Sequence, residues 1–275
     1  MLLNLTHAYK SAKSMESNCR LSLVIPNLNQ GRFLEETLKS VFGQLDVRPG
    51  ELEVIIIDGG SCDGSIGIIE KYASRVSYWV SEPDRGQTHA LKKGFAAAKG
   101  DIMGWLCADD LLEPHTVREV LDYFDRHHDV DFVFGDALWI DIDGAVLRPK
   151  REIPFFWFTW LFDHNYIPQP SAFWRRGLYE EAGGLDERFQ LAMDGDLWFR
   201  FACISRPRHV RKVWSRMRRY PEQKNQRLRA ISDYEDEIIR RRIKWYPRNR
   251  YIRTTIHYVA RGLRVMGKAV LGSYW

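Results

Sequence analysis

The sequence lacks any apolar run long enough to cross a bilayer. Its most apolar stretch, residues 153–162, covers ten positions, whereas a membrane-spanning helix needs about 20. The first 20 residues also lack the basic segment followed by an apolar segment that marks a secretory signal. Cysteine is scarce: the four cysteines are far apart and form no Cys-x-x-Cys pair, which argues against a zinc knuckle or a disulfide-rich fold. We therefore expect a cytoplasmic protein.

The sequence does contain enough apolar and aromatic residues for one large core. Of its 275 residues, 45% are hydrophobic, and the aromatic ones comprise 10 Trp, 12 Tyr and 14 Phe. This composition excludes a disordered chain and a fibrous protein. The length predicts one large domain with a modest extension.

The net charge of +5 conceals a strong asymmetry along the chain. Residues 1–203 carry 21 basic and 31 acidic side chains, a net charge of −10, whereas residues 204–275 carry 20 basic and 5 acidic ones, a net charge of +15. Between residues 238 and 270 the basic residues alternate with apolar ones at helical spacing. We expect this basic tail either to lie on an anionic membrane surface or to pack on the domain with its cations solvated. No nucleic-acid-binding motif accompanies the charge, so we expect no nucleic-acid partner.

The first half of the chain alternates β-branched runs with amphipathic segments, which is typical of βαβ units with a parallel sheet. The predicted strands are residues 21–25, 53–57, 77–80, 102–106, 131–134, 137–140 and 171–174. The predicted helices are residues 31–42, 65–73, 87–98, 114–127 and 194–203, followed by mostly helical structure from residue 222 with a break at Pro247.

Polar residues follow each of the first four predicted strands. Asn27 follows the first, Asp58 the second, Asp84 the third and the pair Asp109–Asp110 the fourth. Taken singly, Asp58 would also fit a tight turn and the acid pair a helix cap. Because ligands of open α/β sheets bind at the carboxyl ends of the strands, we expect these side chains to share one crevice. Such a cluster of acids predicts a divalent metal and a ligand rich in hydroxyl and phosphate groups.

Four segments in chain order resemble those of family 2 glycosyltransferases with the GT-A fold. They are LSLVIPNLNQGRFLEETLKSVFGQ, LEVIIIDGGSCDGSIGIIEKY, SEPDRGQTHALKKGFAAAKGDIMGWLCADD and FQLAMDGDLWFR. The resemblance implies an α/β fold with a Rossmann-like, mostly parallel sheet flanked by helices. It also implies an inverting enzyme that transfers a sugar from a nucleoside diphosphate sugar to a hydroxyl group.

On this basis we divide the chain into an N-terminal extension, a GT-A domain and a basic helical C-terminal extension. The extensions are residues 1–20 and 221–275, and the domain covers residues 21–220. Within the domain, the resemblance assigns residues 21–110 to nucleotide binding and residues 111–220 to acceptor binding.

The resemblance also implies a set of donor-binding residues. The nucleoside is expected to contact Pro26, Asn27 and Asn29. The base is expected to contact Asp58, and the base or ribose to contact Asp84. Arg85 and Gln87 are expected to lie at the sugar and diphosphate. Asp110 is expected to bind Mn²⁺ or Mg²⁺ directly, and Asp109 to complete the metal motif and reach the ribose or sugar; oxygen ligands suit these ions. Lys224 lies in a late segment that resembles a loop closing over the diphosphate, or belongs to a solvated charge cluster.

The acceptor side of the resemblance centres on Asp194. This residue is expected to be the base that deprotonates the acceptor hydroxyl, while Asp196 caps the helix or orients its neighbours. Gln169 and Trp198 are expected at the pocket for the acceptor and donor sugar. For each an alternative stays open: Gln169 would fit an edge strand after a proline turn, and the helical spacing of Trp198 favours core packing.

Together these observations predict a metal-dependent hexosyl- or N-acetylhexosaminyltransferase with a UDP-sugar donor and a glycan or lipid-linked acceptor. We expect it to act in surface polysaccharide biosynthesis, peripherally on the inner face of the plasma membrane, and to add a single sugar. One alternative is a nucleotidyltransferase that makes nucleotide-sugars, although residues 26–33 lack its glycine-rich phosphate loop. Another is a catalytically silent carbohydrate- or membrane-binding module, against which the retention of all the acids speaks.

Overall fold

Ten strands and ten α-helices form the described part of the protein, which comprises residues 7–10 and 19–273 of a computed structural model. The strands are β1 (His7–Lys10), β2 (Leu21–Asn27), β3 (Leu52–Asp58), β4 (Tyr78–Ser81), β5 (Ile102–Trp105), β6 (Leu111–Leu112), β7 (Phe132–Ile140), β8 (Val146–Lys150), β9 (Ala172–Arg175) and β10 (Arg208–Arg218). The helices are α1 (Gly31–Phe42), α2 (Ser65–Tyr72), α3 (Gln87–Ala97), α4 (Thr116–Arg126), α5 (Trp157–Phe162), α6 (Arg176–Glu181), α7 (Met193–Ile204), α8 (Lys224–Arg227), α9 (Arg229–Arg241) and α10 (Arg250–Val270). Most of the predicted extension over residues 1–20 lies outside the described residues.

All ten strands belong to one mixed sheet. Its order is β1-β4-β3-β2-β5-β9-β7-β10-β6, with β8 paired to β7. Strands β4, β3, β2 and β5 are parallel to one another, and β7 and β10 form a second parallel pair. Strand β9 joins the two groups through antiparallel pairing with β5 and β7. The predicted α/β class, with parallel strands in the first half of the chain, is confirmed.

Helices cover both faces of the sheet because successive side chains of a strand point to opposite faces. Along β2, one set packs with apolar residues of α1 and α4, and Val24 packs with residues of α3 and α7 on the other face. Helix α1 shows the expected spacing of three and four, burying Phe33, Leu34, Leu38 and Val41. The two faces thus form two apolar layers that hold the strand ends in place.

The prediction of one basic tail over residues 204–275 is wrong in its first part, because β10 lies inside the sheet between β7 and β6. Three of the five cations of β10 are paired with acids of the domain. Lys212 lies 3.1 Å from Glu119, Arg216 lies 2.6 Å from Glu113, and Arg218 lies 2.6 Å from Glu36. Ion pairs within the domain therefore neutralise the charges of Lys212, Arg216 and Arg218.

The C-terminal residues are helical, as predicted, and the break at Pro247 separates α9 from α10. Helix α10 begins after Asn249, whose side chain accepts hydrogen bonds from the backbone N–H groups of Tyr251 and Ile252. It packs on α5, and Ala260 is fully buried there. None of the described helices is both long enough and apolar enough to cross a bilayer.

Candidate active site

The carboxyl ends of β2, β3, β4 and β5 meet at one edge of the sheet, and the polar residues singled out by the sequence lie there. Asn27 and Asp58 are register partners on β2 and β3, and Nδ2 of Asn27 donates to Oδ1 of Asp58 over 2.6 Å. Asp84 follows β4, and Asp109 and Asp110 follow β5. The structure therefore brings these side chains to one crevice.

Asp58 lies beneath this crevice, with 0% of its surface exposed. Its Oδ1 accepts hydrogen bonds from Asn27 Nδ2 and Ser61 Oγ, each 2.6 Å long. Its Oδ2 accepts from the N–H groups of Gly60 and Ser61, at 3.1 and 2.8 Å, and from Ser81 Oγ at 2.6 Å. Asp58 thus orders the turn after β3, and the predicted hydrogen bond to a base does not fit this geometry because the carboxylate is covered and fully bonded.

Hydrogen bonds of Asn29 connect the loop after β2 to the turn after β3. The backbone of Asn29 has a φ of 51°, its N–H donates to Ser61 Oγ over 2.8 Å, and its Oδ1 accepts from the N–H of Cys62 over 2.9 Å. Pro26 is buried within β2. Oδ1 of Asn27 is buried and has no partner among the described residues. These residues form the wall of the crevice at which the sequence placed the nucleoside.

The loop after β4 approaches the turn after β3 very closely. A Cβ at Gly59 would lie 2.7 Å from Oδ2 of Asp84, so a larger residue at position 59 would displace the Asp84 carboxylate from this position. Oδ1 of Asp84 accepts from the N–H of Gly86 over 2.7 Å. Arg85, predicted at the sugar and diphosphate, is exposed and donates to Glu187 over 2.8 Å. Asp84 therefore lies on the crevice wall, whereas the guanidinium of Arg85 is paired with Glu187.

Gln87 and Gln169 lie side by side next to the acid pair. Gln87 Nε2 lies 3.3 Å from the sulfur of Cys107, and the same sulfur lies 3.6 Å from Gln169 Oε1. Gln169 is held in place because its Nε2 donates to the carbonyl of Trp105 over 2.8 Å. The structure thus places one predicted donor residue and one predicted acceptor residue around Cys107.

Trp198 lies in the core and not on the crevice, so the prediction that it lines the sugar pocket is wrong for direct contact. It is fully buried. Its ring stacks on Trp105, with a centroid distance of 5.6 Å and an interplanar angle of 12°, and on Phe132 at 4.7 Å. Trp198 therefore packs in the core, which is the alternative that its helical spacing favoured.

Residues at the end of β10 and just after it donate hydrogen bonds to the acid pair that follows β5. Oδ2 of Asp109 accepts from the hydroxyl of Tyr220 over 2.9 Å and from Nε2 of Gln223 over 3.2 Å. Oδ1 of Asp110 accepts from the N–H of Arg218 over 2.8 Å. Within the described chain, Oδ1 of Asp109 and Oδ2 of Asp110 receive no such bond, so each carboxylate keeps one oxygen for a ligand.

The acid pair fits a divalent cation. Burial, together with the neighbouring charge of Asp109, raises the pKa of Asp110 well above its usual range, and a bound cation would offset both effects. Ligand atoms of Cys107, Asp109 and Asp110 lie within 4.8 Å of one another. Carboxylate oxygens are ligands that Mg²⁺ and Mn²⁺ prefer, whereas a protonated thiol is not. Of these three side chains, the two carboxylates and not the thiol therefore fit such a cation.

Asp194 lies in the first turn of α7, partly exposed. Its Oδ1 accepts from the N–H of Gly195 over 2.7 Å, and its Oδ2 accepts from Asn165 Nδ2 over 3.0 Å. Desolvation by the surrounding protein and the charge of Asp236 raise the pKa of Asp194 to about 6. A carboxylate with this pKa is suited to accept a proton near neutral pH.

Helix α9 holds the segment that carries Asp194. The two carboxylate oxygens of Glu235, a buried residue of α9, accept hydrogen bonds from three consecutive backbone N–H groups. The donors are Gln190 at 2.8 Å, Leu191 at 2.9 Å and Ala192 at 2.8 Å. These three residues directly precede Met193, where α7 begins, so Glu235 fixes the backbone at the entry to the helix.

Two further contacts link the C-terminal helices to this segment. Lys224, predicted at the diphosphate, donates from Nζ to the carbonyl of Gln190 over 2.7 Å, and desolvation lowers its pKa. Asp196 is completely buried and pairs with Arg242 at 2.5 Å and with Arg200 at 2.6 Å. Asp196 is therefore the centre of an ion-pair network that joins α7 to the residues after α9.

The sequence analysis did not identify Asn165, Glu235 or Asp236. The sequence did contain an indication for Glu235 and Asp236. Residues 233–237 hold all four acids that occur between residues 223 and 275. A cluster of acids within an otherwise basic segment indicates partners in a buried network. Asn165 belongs to no motif, and its role follows only from its hydrogen bond to Asp194.

Comparisons of sequence agree with this arrangement. Residues 22–180 match the model of a family described as glycosyl transferase family 2. An uncharacterised glycosyltransferase of Mycobacterium tuberculosis is 30% identical over 200 residues, which cover 72% of this chain and 75% of the relative. A PGL/p-HBAD biosynthesis glycosyltransferase of Mycobacterium bovis is 29% identical over 193 residues, covering 68% of this chain and 70% of the relative.

Comparisons of structure agree with the predicted fold. S. aureus TarS 1–349, solved in complex with UDP-GlcNAc, has a TM-score of 0.66 at 17% identity and covers 86% of this chain and 70% of its own. The mannosyltransferase PcManGT from Pyrobaculum calidifontis, in complex with GDP-Man and Mn²⁺, has a TM-score of 0.63 at 19% identity. The match covers 88% of this chain and 69% of PcManGT. At these identities the likeness concerns the fold, which is GT-A.

Proposed function

The chain belongs to glycosyl transferase family 2, and on that basis we propose that it transfers one sugar from a nucleoside diphosphate sugar to a hydroxyl group with inversion. One observation carries the proposal. Trp105, the last residue of β5, stacks on Trp198 of α7 with a centroid distance of 5.6 Å, so the helix that carries Asp194 packs against the strand that the acid pair follows. This packing supports the proposal that the acid pair and the base belong to one site, as transfer between a bound donor and an acceptor requires.

The donor is a nucleotide sugar, and we propose a UDP-hexose or UDP-N-acetylhexosamine. The wall formed by Asn27, Asn29 and Asp84 is where the nucleoside would lie, with Arg85 and Gln87 towards the sugar and diphosphate. TarS was solved with UDP-GlcNAc and PcManGT with GDP-Man. UDP is the nucleotide that the family resemblance favours, and the TarS complex supports it.

Asp109 and Asp110 would hold the metal ion, with Asp110 as the direct ligand. Bound Mn²⁺ or Mg²⁺ would stabilise the negative charge on the diphosphate. Tyr220 and Gln223 orient Asp109 through its Oδ2, and the N–H of Arg218 orients Asp110. Lys224 and Arg85 are the nearby cations that would bind phosphate oxygens once released from Gln190 and Glu187.

Asp194 is the proposed base. A carboxylate oxygen of Asp194 takes the proton of the acceptor hydroxyl while the hydroxyl oxygen forms a bond to the anomeric carbon. The bond from that carbon to the phosphate oxygen breaks, and its electron pair leaves with the nucleoside diphosphate. Attack from the side opposite the leaving group inverts the anomeric centre. Asn165 and the N–H of Gly195 keep the carboxylate oriented during this step.

We propose that the acceptor is a glycan or a lipid-linked molecule in surface polysaccharide biosynthesis. The relative from M. bovis is named for PGL/p-HBAD biosynthesis, and the resemblance of the whole domain to that relative supports an acceptor of this general kind. The enzyme would act in the cytoplasm, at the inner face of the plasma membrane, adding one sugar in each reaction.

Isothermal titration calorimetry tests the donor class. We expect one of UDP, GDP and dTDP to bind in the presence of Mn²⁺ and to bind at least about tenfold more weakly without it. The Asp110→Ala variant should lose this metal dependence. Failure of all three nucleotides to bind with metal present would contradict the proposed function.

A further inference from the structure

A second carboxylate, that of Asp236 on α9, lies beside the proposed base. A Cβ at Gly195, the residue after Asp194, would lie 3.9 Å from Oδ1 of Asp236 and 3.6 Å from Nδ2 of Asn165. The same Nδ2 donates to Oδ2 of Asp194 over 3.0 Å. Asp236 therefore shares a small volume with Asn165 and the first turn of α7, next to Asp194. The proposed transfer step does not use this second carboxylate.

Two neighbours on α9 hold Asp236 in this place. The preceding residue, Glu235, is buried and accepts hydrogen bonds from the backbone at the entry to α7. Ile239 is also buried, and its Cδ1 would lie 3.8 Å from a Cβ at Gly195. Because Asp236 lies between these two anchored residues along the helix, its carboxylate stays close to the first turn of α7.

Asp236 is partly buried, with 29% of its side chain exposed. Desolvation raises its pKa, whereas the positive charge of Arg240, 3.8 Å from Oδ2 of Asp236, acts in the opposite direction. From the loop after α5, His164 acts in the same direction as Arg240, and Asp233 and Glu235 on α9 act against it. The ion pair with Arg240 thus favours the charged form of Asp236 near neutral pH.

The other groups around Asp194 carry no charge. The N–H of Gly195 and the amide of Asn165, which donate hydrogen bonds to its carboxylate, are neutral. The Cys107 thiol, which follows β5, is neutral near pH 7 because burial raises its pKa well above the usual range. Asp236 therefore adds a negative charge to neutral surroundings, and a partly buried charge is screened less than one at the surface.

We propose that Asp236 makes Asp194 a base strong enough to deprotonate the acceptor near neutral pH. The negative charge of Asp236 disfavours a second negative charge beside it, so Asp194 binds a proton more tightly than an isolated aspartate does. Asp236 acts through Asp194 and needs no contact with the acceptor. The inference deepens the proposed function, on which it rests for the role of Asp194 as the base.

Carbon-13 NMR of the aspartate carboxyl groups tests this effect on the full chain, titrated from pH 4 to 8 without donor or acceptor. The resonance that is lost in Asp194→Asn identifies Asp194. We expect a pKa of about 6 in the natural chain. In Asp236→Asn and Asp236→Ser, which both lack the neighbouring charge, the pKa should be lower by about 1. Asp236→Glu keeps the charge and should restore the pKa to within about 0.3 of the natural value.

Asp233→Asn is the matched control. Asp233 precedes Asp236 by three residues on the same helix and is exposed, so water and salt screen its charge. Its substitution removes the same charge from α9 and should leave the pKa of Asp194 within about 0.3 of the natural value. An unchanged pKa of Asp194 in Asp236→Asn and Asp236→Ser, or an equal decrease in Asp233→Asn, overturns the proposal.

The pH dependence of sugar transfer gives a second measurement. The ratio of kcat at pH 5 to kcat at pH 8 should rise from about 0.1 in the natural chain to about 0.5 in Asp236→Asn. A merely structural defect would lower kcat by the same factor at both pH values, and that result would also overturn the proposal. The NMR titration needs no substrate, so it reports on the two carboxylates even if the natural chain transfers no sugar. Calorimetric titration of UDP reports separately on the proposed donor site.

Discussion

At the scale of single residues, the environment of Asp194 distinguishes it from the other acids of the crevice. Asp58 is covered and fully bonded, and Asp109 and Asp110 face each other. Asp194 is accessible, and its pKa is raised to about 6. The first test of this role is Asp194→Asn, which should lower kcat by about 10²- to 10⁴-fold. The donor Kd should stay within about twofold, because the amide keeps the same size and can still accept one of the two hydrogen bonds.

Radiolabelled sugar transfer gives kcat for this variant, and calorimetry gives the donor Kd. Asp196→Asn makes a poor control because Asp196 is a buried ion-pair centre. Asp143→Asn in the exposed turn between β7 and β8 is a better one and should be neutral. Loss of donor affinity in Asp194→Asn would remove Asp194 from the role of base.

The raised pKa of Asp194 also predicts the pH dependence of the reaction. The base must be ionised, so the active fraction is nearly complete at pH 8, half at a pH of about 6, and falls about tenfold for each further pH unit. We therefore expect kcat to decrease on acidification through pH 6. The measurement is kcat at saturating donor and acceptor from pH 5 to 8. A rate that stays constant over this range would show that Asp194 does not carry the proton.

At the scale of elements, α9 supports the segment that carries the proposed base, although it follows residues 22–180, which the family model matches. Glu235 binds three N–H groups at the entry to α7, and we expect Glu235→Gln to let the segment with Asp194 move. The variant should lower kcat at least about tenfold with an unchanged KM for the donor, since a shift of about 1 Å is costly for transfer. It should also displace the apparent pKa of kcat.

Glu237→Gln provides the control for this helix. Glu237 lies two residues away and pairs with Arg241 and Arg253, each at 2.9 Å, on the outer side of the site. Its substitution removes the same charge without touching the entry to α7, so kcat should stay within about twofold. Equal losses of kcat in both variants would indicate a general effect of charge and not positioning by Glu235.

Helix α10 offers a matched pair of substitutions for stability. Arg264 neutralises the nearly buried Asp163, so Arg264→Met should lower the free energy of unfolding by about 3 kcal/mol. Arg261 lies one turn earlier, is exposed and forms no ion pair within the described chain. Arg261→Met should therefore change the free energy of unfolding by less than about 0.5 kcal/mol. Urea unfolding followed by circular dichroism measures both. Equal stability of the two variants would contradict a structural role for the inward ion pairs.

The elements that could be predicted from sequence are those with a strong local pattern. β2 and β3 are runs of β-branched and aliphatic residues, α1 has regular apolar spacing, and the acids after the strands followed from the topology of a parallel sheet. Strand β10 was missed because its Arg and Lys residues resemble a solvated tail, and their acidic partners lie 93 to 182 residues earlier in the chain. The role of Glu235 was missed for the same reason: the N–H groups that it binds are distant in sequence.

At the scale of the whole molecule, the C-terminal extension and the domain share one core. Ile239 and Ala260 are buried, and Tyr246 stacks on Phe162 with a centroid distance of 5.6 Å. A chain ended after residue 221 would expose this surface and leave Glu152 and Asp163 without Arg264 and Lys268. We expect this truncated chain to show a much lower Tm and no transfer. A Tm equal to that of the full chain would mean that the domain folds independently of the extension.

The hydrogen bonds that Glu235 accepts at the entry to α7 also have a consequence for folding during translation. Ribosomes deliver the chain from its N-terminus at about 5–20 residues per second, so β2 to β5 and the acid pair are available for pairing before α9 exists. The segment with Asp194 gains its three N–H contacts only once Glu235 has left the ribosome. A nascent chain can thus form its proposed donor crevice first, and the segment with Asp194 takes its final position only after α9 has been made.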